Sequence, residues 1–300
     1  MATFRPASMR CACIDIGSNT TRLLVADVAQ GRLEAVVQQR SFTRLGRAIA
    51  ADGVVPRELV VAVAEVVARQ REVAAVAGAE HLRVVATAAI RRAKNRDELL
   101  AAVRAHAAVD VTVLPGDHEA RLAFAGATRT LETPPEGSIA VVDVGGMSTE
   151  IAIGTIDRGV TWARSYAIGS SALAASCRRD PPSRDDVAHI RSAARAAFAL
   201  APIPRADHAI AVGGSAASLP TLVGPVIDAP ALERALGVLT AAPADEVARL
   251  HDLAPERTQL LPAGILVLGA AAERLGRPLQ IGRGGLREGV ILELAAAATS

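Results

Sequence analysis

The sequence predicts an α/β protein made of two copies of a βββαβαβα unit, each with a mixed sheet, set around a cleft. Three observations lead there. The stretch Ala140–Ile151, AVVDVGGMSTEI, carries an apolar run into Asp143, turns tightly at Gly145 and Gly146, and resumes an apolar strand after Ser148, Thr149 and Glu150. Cys13–Val28, CIDIGSNTTRLLVADV, repeats the pattern: an apolar run, then Asp15 and Gly17, a turn of Ser18, Asn19, Thr20 and Thr21, and an apolar strand. Asp15 and Asp143 are about one domain length apart, and after each hairpin strand and helix patterns alternate in the same order.

A chain of 300 residues exceeds the usual single domain. The segment Leu131–Gly137, LETPPEG, is the natural linker, giving domains 1–130 and 131–300, with the terminal helix a candidate to pack back on the first. The composition is 51% hydrophobic, aliphatic rather than aromatic, which supplies a sizeable core. A net charge of +2 argues against a general nucleic-acid or membrane-surface protein. No apolar stretch is long enough to span a membrane. Met1–Arg10 lacks the apolar core of a signal peptide and reads as a frayed tail, with Met9 a second candidate start. Cys11, Cys13 and Cys177 have no metal-ligand spacing and fit unpaired thiols in a reducing cytoplasm.

The elements follow in order. Arg32–Gln39 continues the first hairpin as a third strand, and Ser41–Gly46 is a loop. Pro56 opens a helix at N1 and Gly78 closes it, with Leu59, Val63, Val66, Val67 and Val73 on one face. Leu82–Thr87 is a strand, Asn95 caps a helix through His106, Val109–Leu114 is a strand, and Gly116–Thr130 is a helix carrying Glu119. In the second half Val160–Ile168 is the third strand. Ser183 and Asp186 form a capping box for a helix ending near Leu200. Ala209–Val212 is a buried strand entering a tight turn at Gly213, Gly214 and Ser215. A helix follows Pro262, Leu279–Gly282 is a last strand, and Gly285–Ala297 is a terminal helix. Trp162 and Tyr166 read as strand packing.

The chemistry of the glycine turns is phosphate binding. Glycines let backbone N–H groups approach an anion, and successive N–H groups form a positive nest. Ser148 and Thr149 add hydroxyl donors, and the Asp143 and Glu150 carboxylates can hold a divalent cation. The six histidines show no ligand spacing.

Seven motifs in order resemble the exopolyphosphatase/guanosine pentaphosphatase (Ppx/GppA) family: DIGSNT (15–20), RLG (44–46), ATAAIRRAKN (86–95), HEARLAF (118–124), VVDVGGMSTE (141–150), AVGGS (211–215) and GLREGVILEL (285–294). The resemblance implies two ribonuclease-H-like, actin-like ATPase domains. It also implies release of orthophosphate from the end of inorganic polyphosphate, or alternatively from guanosine pentaphosphate. By this resemblance Glu119 is the catalytic base, Glu150 holds magnesium (or manganese), and Asp143 supports that metal or its loop. The phosphate cradle is Asp15, Gly17, Ser18, Asn19, Thr20, Gly145, Gly146, Ser148, Thr149, Gly213, Gly214 and Ser215, with Arg44 and Arg91 as bidentate clamps. Arg22 reads as structural. A homodimer is a further family trait.

Two departures shape the expectations. Met147 stands where the family's loop usually has a third glycine; at φ > 0 it would cost ~1–2 kcal/mol, and its side chain would crowd the phosphate, which keeps a non-catalytic polyphosphate or alarmone sensor in view. Many members also carry a further helical domain after the two core domains. A kinase shares the implied fold, but Glu119 suits water activation better than transfer to an acceptor hydroxyl. Low net charge and a single lysine, Lys94, point to short polyphosphates cut distributively.

Overall fold

The computed structural model describes residues 8–299, with the side chains of residues 50 and 51 outside the description. Its first element, β1 (Met9–Ile16), corrects the expected tail: Met9 pairs with Val28, and Arg10 binds Asp27 at 2.7 Å. Residues 1–7 of that tail lie outside the described residues.

The chain then forms β2 (Thr20–Ala29), β3 (Arg32–Phe42), α1 (Leu45–Asp52), α2 (Arg57–Val76), β4 (His81–Ala86), α3 (Ala88–Arg92), α4 (Arg96–Ala107), β5 (Val111–Val113) and α5 (Gly116–Arg129). The sheet order is β3-β2-β1-β4-β5. The first three strands are an antiparallel meander, and β4 and β5 add in parallel, each reached through a helical crossover. The third strand runs on through Phe42, because Arg40, Ser41 and Phe42 find partners in Arg22, Thr21 and Thr20. Asn95 precedes α4 without capping it: its amide exchanges hydrogen bonds with the Val55 backbone instead.

The second half forms β6 (Ile139–Val144), β7 (Thr149–Thr155), β8 (Gly159–Tyr166), α6 (Ser170–Ala174), α7 (Arg184–Ala199), β9 (His208–Val212), α8 (Gly213–Ala216), α9 (Pro220–Val223), β10 (Val226–Ile227), α10 (Ala229–Leu239), α11 (Ala244–Leu250), α12 (Pro255–Thr258), α13 (Leu261–Leu275) and β11 (Leu279–Ile281). Its sheet, β10-β11-β9-β6-β7-β8, repeats the first order with one antiparallel strand added at the edge. The expected capping box is present: Ser183 Oγ accepts from Asp186 N, and Asp186 accepts from Ser183 N. Helix α13 is apolar on nearly every side because it is the centre of this unit's core.

The last helix, α14 (Leu286–Ala298), belongs with the first half. The chain divides into two compact units: one of residues up to Thr130 together with those from Gly284, the other Leu131–Arg283. In the first unit, α14 packs Leu286, Val290 and Ile291 against Cys11, Cys13, Leu24 and Val85 of the sheet and Leu122 of α5. Helices α5 and α14 touch backbone to backbone, since a Cβ on Gly289 would collide with the Leu122 carbonyl and one on Gly126 with that of Gly285.

Candidate active site

In both units the chemistry-bearing residues gather at the carboxyl ends of the parallel strands, where α/β sheets bind ligands. In the first unit β1 delivers Asp15 and then turns at Gly17, whose N–H bonds Thr20 O at 3.0 Å. The turn is stitched to the next segment: Asn19 O accepts from the N–H groups of Thr43 and Arg44 at 3.0 Å, and Ser18 O accepts from Gly46 at 2.6 Å. Arg44 thereby caps α1 in a left-handed conformation (φ 51°), a strained state for a non-glycine residue. The buried Nδ2 of Asn19 has no hydrogen-bond partner.

Asp15 is half-buried, and its buried Oδ1 has no hydrogen-bond partner. Burial pushes its carboxyl up to about 6, against the pull of Arg287 and Arg22. Arg22 sits opposite Asp15 in register, with Arg40 opposite Arg22 on β3. Burial, then repulsion from Arg287, lowers the Arg22 guanidinium from its usual value. Asp15, read from the sequence as a phosphate ligand, is thus the acidic centre of an arginine cluster that the sequence reading missed.

Glu119 occupies the first turn of α5 and is 6% exposed. Arg91, expected as a phosphate clamp, reaches it directly: Nη1 lies 3.0 Å from Glu119 Oε2 and 2.6 Å from Leu114 O. The neighbouring His118 turns the other way and meets Glu293 of α14 at 3.0 Å.

In the second unit β6 delivers Asp143 and turns at Gly145, whose N–H bonds Ser148 O at 3.0 Å, the same turn as at Gly17. The start of α6 braces it, with Ser170 N donating to Gly145 O and Ala172 N to Gly146 O, both at 3.0 Å. The N–H groups of Gly146 and Ser148 have no internal acceptor among the described residues, which leaves them for an anion. Met147 is 3% exposed and is not among the residues with positive φ, so the expected left-handed strain is absent. Thr149, expected to bind phosphate, donates its hydroxyl to Ile168 O at 2.7 Å inside the core.

Asp143 and Glu150 are register partners across β6 and β7, so both carboxylates leave one face of the sheet. Glu150 is held by Ser165 Oγ at 2.6 Å, and Asp143 Oδ1 occupies the space that a Cβ on Gly213 would need. Gly213, at φ 84°, starts the third turn, and the Arg257 guanidinium packs onto Gly214. Sequence reading did not single out Arg257; its one signal was an arginine shortly before Pro262. Among the described residues no group of three or more His, Cys, Asp and Glu side chains forms a ready metal cage. Two adjacent carboxylates with hard oxygen donors fit magnesium or manganese completed by substrate oxygens and water.

Comparison with known proteins bears on the whole chain. Residues 24–298 match the model of the Ppx/GppA phosphatase family. Exopolyphosphatase 1 of Mycobacterium leprae is 30% identical over 95% of this chain and 89% of its own length. The guanosine-5'-triphosphate,3'-diphosphate pyrophosphatase of Aeromonas hydrophila is 26% identical over 94% of this chain and 59% of its own. The crystal structure of the Aquifex aeolicus Ppx/GppA family member superposes with a TM-score of 0.81 at 26% identity, covering 98% of this chain and all of that one. By its motifs, its paired actin-like sheets and these matches, the chain belongs to the Ppx/GppA phosphatase family.

Proposed function

We propose that this phosphatase is an exopolyphosphatase, removing orthophosphate from the end of inorganic polyphosphate, preferably of short chains. The observation that carries the reading is the repeated turn, at Gly17 and at Gly145, with the buried Glu119 carboxylate held by Arg91. Such turns grip charge through backbone donors and read no base, which favours polyphosphate over a guanosine pentaphosphate. Glu119 would accept a proton from the attacking water, and Arg91, 3.0 Å away, would orient that carboxylate. Asp143 and Glu150 would hold the magnesium or manganese, which neutralises phosphate charge when bound. Arg22, Arg44, Arg257 and Arg287 supply positive charge beside the turns, each on its own unit.

The similarity to the Aeromonas enzyme supports guanosine pentaphosphate as the second substrate reading. A binding-only sensor has less support, since Met147 adopts an ordinary backbone conformation. Among the described residues no helix is long and apolar enough to cross a membrane, and the three free cysteines suit a cytoplasmic enzyme. The family resemblance also suggests a homodimer. The test is orthophosphate release from both substrates, with magnesium and with excess chelator. Release from polyphosphate that stops in chelator is expected; release from guanosine pentaphosphate alone would transfer the assignment to the second reading, and full activity in chelator would remove the metal from it.

A further inference from the structure

Helix α2 packs on β1, β2 and β3 of the first sheet, and every buried residue on it but one is apolar. The exception is Gln70, which is 2% exposed. Its Nε2 donates to the backbone carbonyl of Thr21, just after the Gly17 turn, at 3.2 Å. A carbonyl oxygen only accepts, so the amide must present its NH2 group there. Oε1 is then left in the core without a hydrogen-bond partner among the described residues. Turning the amide over would set one acceptor against another. A buried acceptor left dry is costly, and an apolar side chain of the same size would fill the position without it. The bond to Thr21 is what Gln70 adds.

That bond leads back to the phosphate turn. The Thr21 and Thr43 side chains are both buried and share a hydroxyl–hydroxyl hydrogen bond at 3.2 Å. Thr43, just past the end of β3, donates its N–H to Asn19 O at 3.0 Å. The links therefore run from α2 through the start of β2 and the end of β3 to Asn19, all within the first unit. Asn19 carries the group that a ligand could use, the buried Nδ2 without a partner. A donor fixed on a braced turn binds more tightly than one that must first be ordered.

We propose, on the exopolyphosphatase reading above, that Gln70 is a positioning residue for phosphate binding: through Thr21 and Thr43 it holds Asn19 so that Nδ2 meets a phosphoryl oxygen of the polyphosphate. Gln70 itself touches no substrate. The test is a double-mutant cycle on KM, run on the full chain with short polyphosphate and magnesium. Asn19→Ala should raise KM by about tenfold, the worth of a hydrogen bond to an ionised oxygen, with kcat little changed. Gln70→Met keeps the volume and removes both amide groups; it should raise KM by roughly fivefold, again with kcat little changed. The double variant should match Asn19→Ala alone, because Gln70 then has nothing to position. The midpoint of urea denaturation should move little in Gln70→Met, since the dry acceptor goes together with the donor. If Gln70→Met does not fold, Thr43→Val and Thr43→Ser decide: the first should raise KM, and the second, which keeps the hydroxyl, should not. A lowered midpoint with wild-type KM in Gln70→Met, additive effects in the cycle, or equal KM in the two Thr43 variants would each overturn the proposal and leave the function standing. No cleavage of polyphosphate by the wild type would overturn both.

Discussion

Glu119 is a nearly buried carboxylate, and Arg91 Nη1 holds its Oε2 at 3.0 Å. With Glu119 as the proposed base, Glu119→Gln keeps the shape and removes its basicity, so turnover of polyphosphate should fall by about 10²–10⁴-fold with KM little changed; steady-state kinetics will show whether it does. At Asp15, burial holds the carboxyl up to about 6, above its ordinary 3.8. A raised acid binds protons more tightly in the folded chain than in the unfolded one. Stability therefore falls as pH rises between those two values and stays low above them, by at most about 3 kcal/mol. Asp15→Asn should abolish that slope and leave the protein more stable than wild type at pH 7, measured by urea denaturation across pH 4–8. The residue types at these positions were legible in the motifs. Their partners were not, because the Arg91–Glu119 contact joins helices that follow different strands. The backbone angle at Met147 was equally hidden, since the brace that α6 places on its loop is a tertiary feature.

Among the elements, α5 and α14 are the pair on which the Glu119 position depends. Their crossing is set by Gly126, Gly285 and Gly289, with no room for a side chain. Gly289→Ala would push a methyl group into the Leu122 carbonyl and force the helices apart, costing roughly 1–3 kcal/mol or more. A matched fall in the midpoint of chemical denaturation and in turnover is expected, although residue 289 touches no substrate. Elements with a strong period or a clear cap were legible: α2 after Pro56, α7 behind its Ser183 box, α13 through its apolar run. Strand β10 and helices α9, α11 and α12 were not, because pieces of two to seven residues carry too few turns to show a period, and the eleven-residue α10 was missed although Asp228 caps it and Pro230 sits in its first turn.

For the whole molecule, the doubled hairpin made the two-unit architecture legible, and both sheets repeat one strand order. The low net charge also bears on how the enzyme would handle its substrate. With +2 overall and one lysine there is little basis for a long electrostatic track. A gel series at low enzyme should show polyphosphate of all lengths shortening together; disappearance of long chains without intermediates would reveal such a track. The sequence reading allowed α14 to pack back on the first domain, and the structure places it there. That allotment has a consequence for synthesis on the ribosome. The first sheet and α5 emerge early, but the helix that covers Cys11, Cys13 and Val85 follows only after the entire second unit. At ribosomal elongation rates the gap is on the order of 10 s. During that interval the second unit can close completely, while the first displays an apolar face to whatever chaperone is at hand.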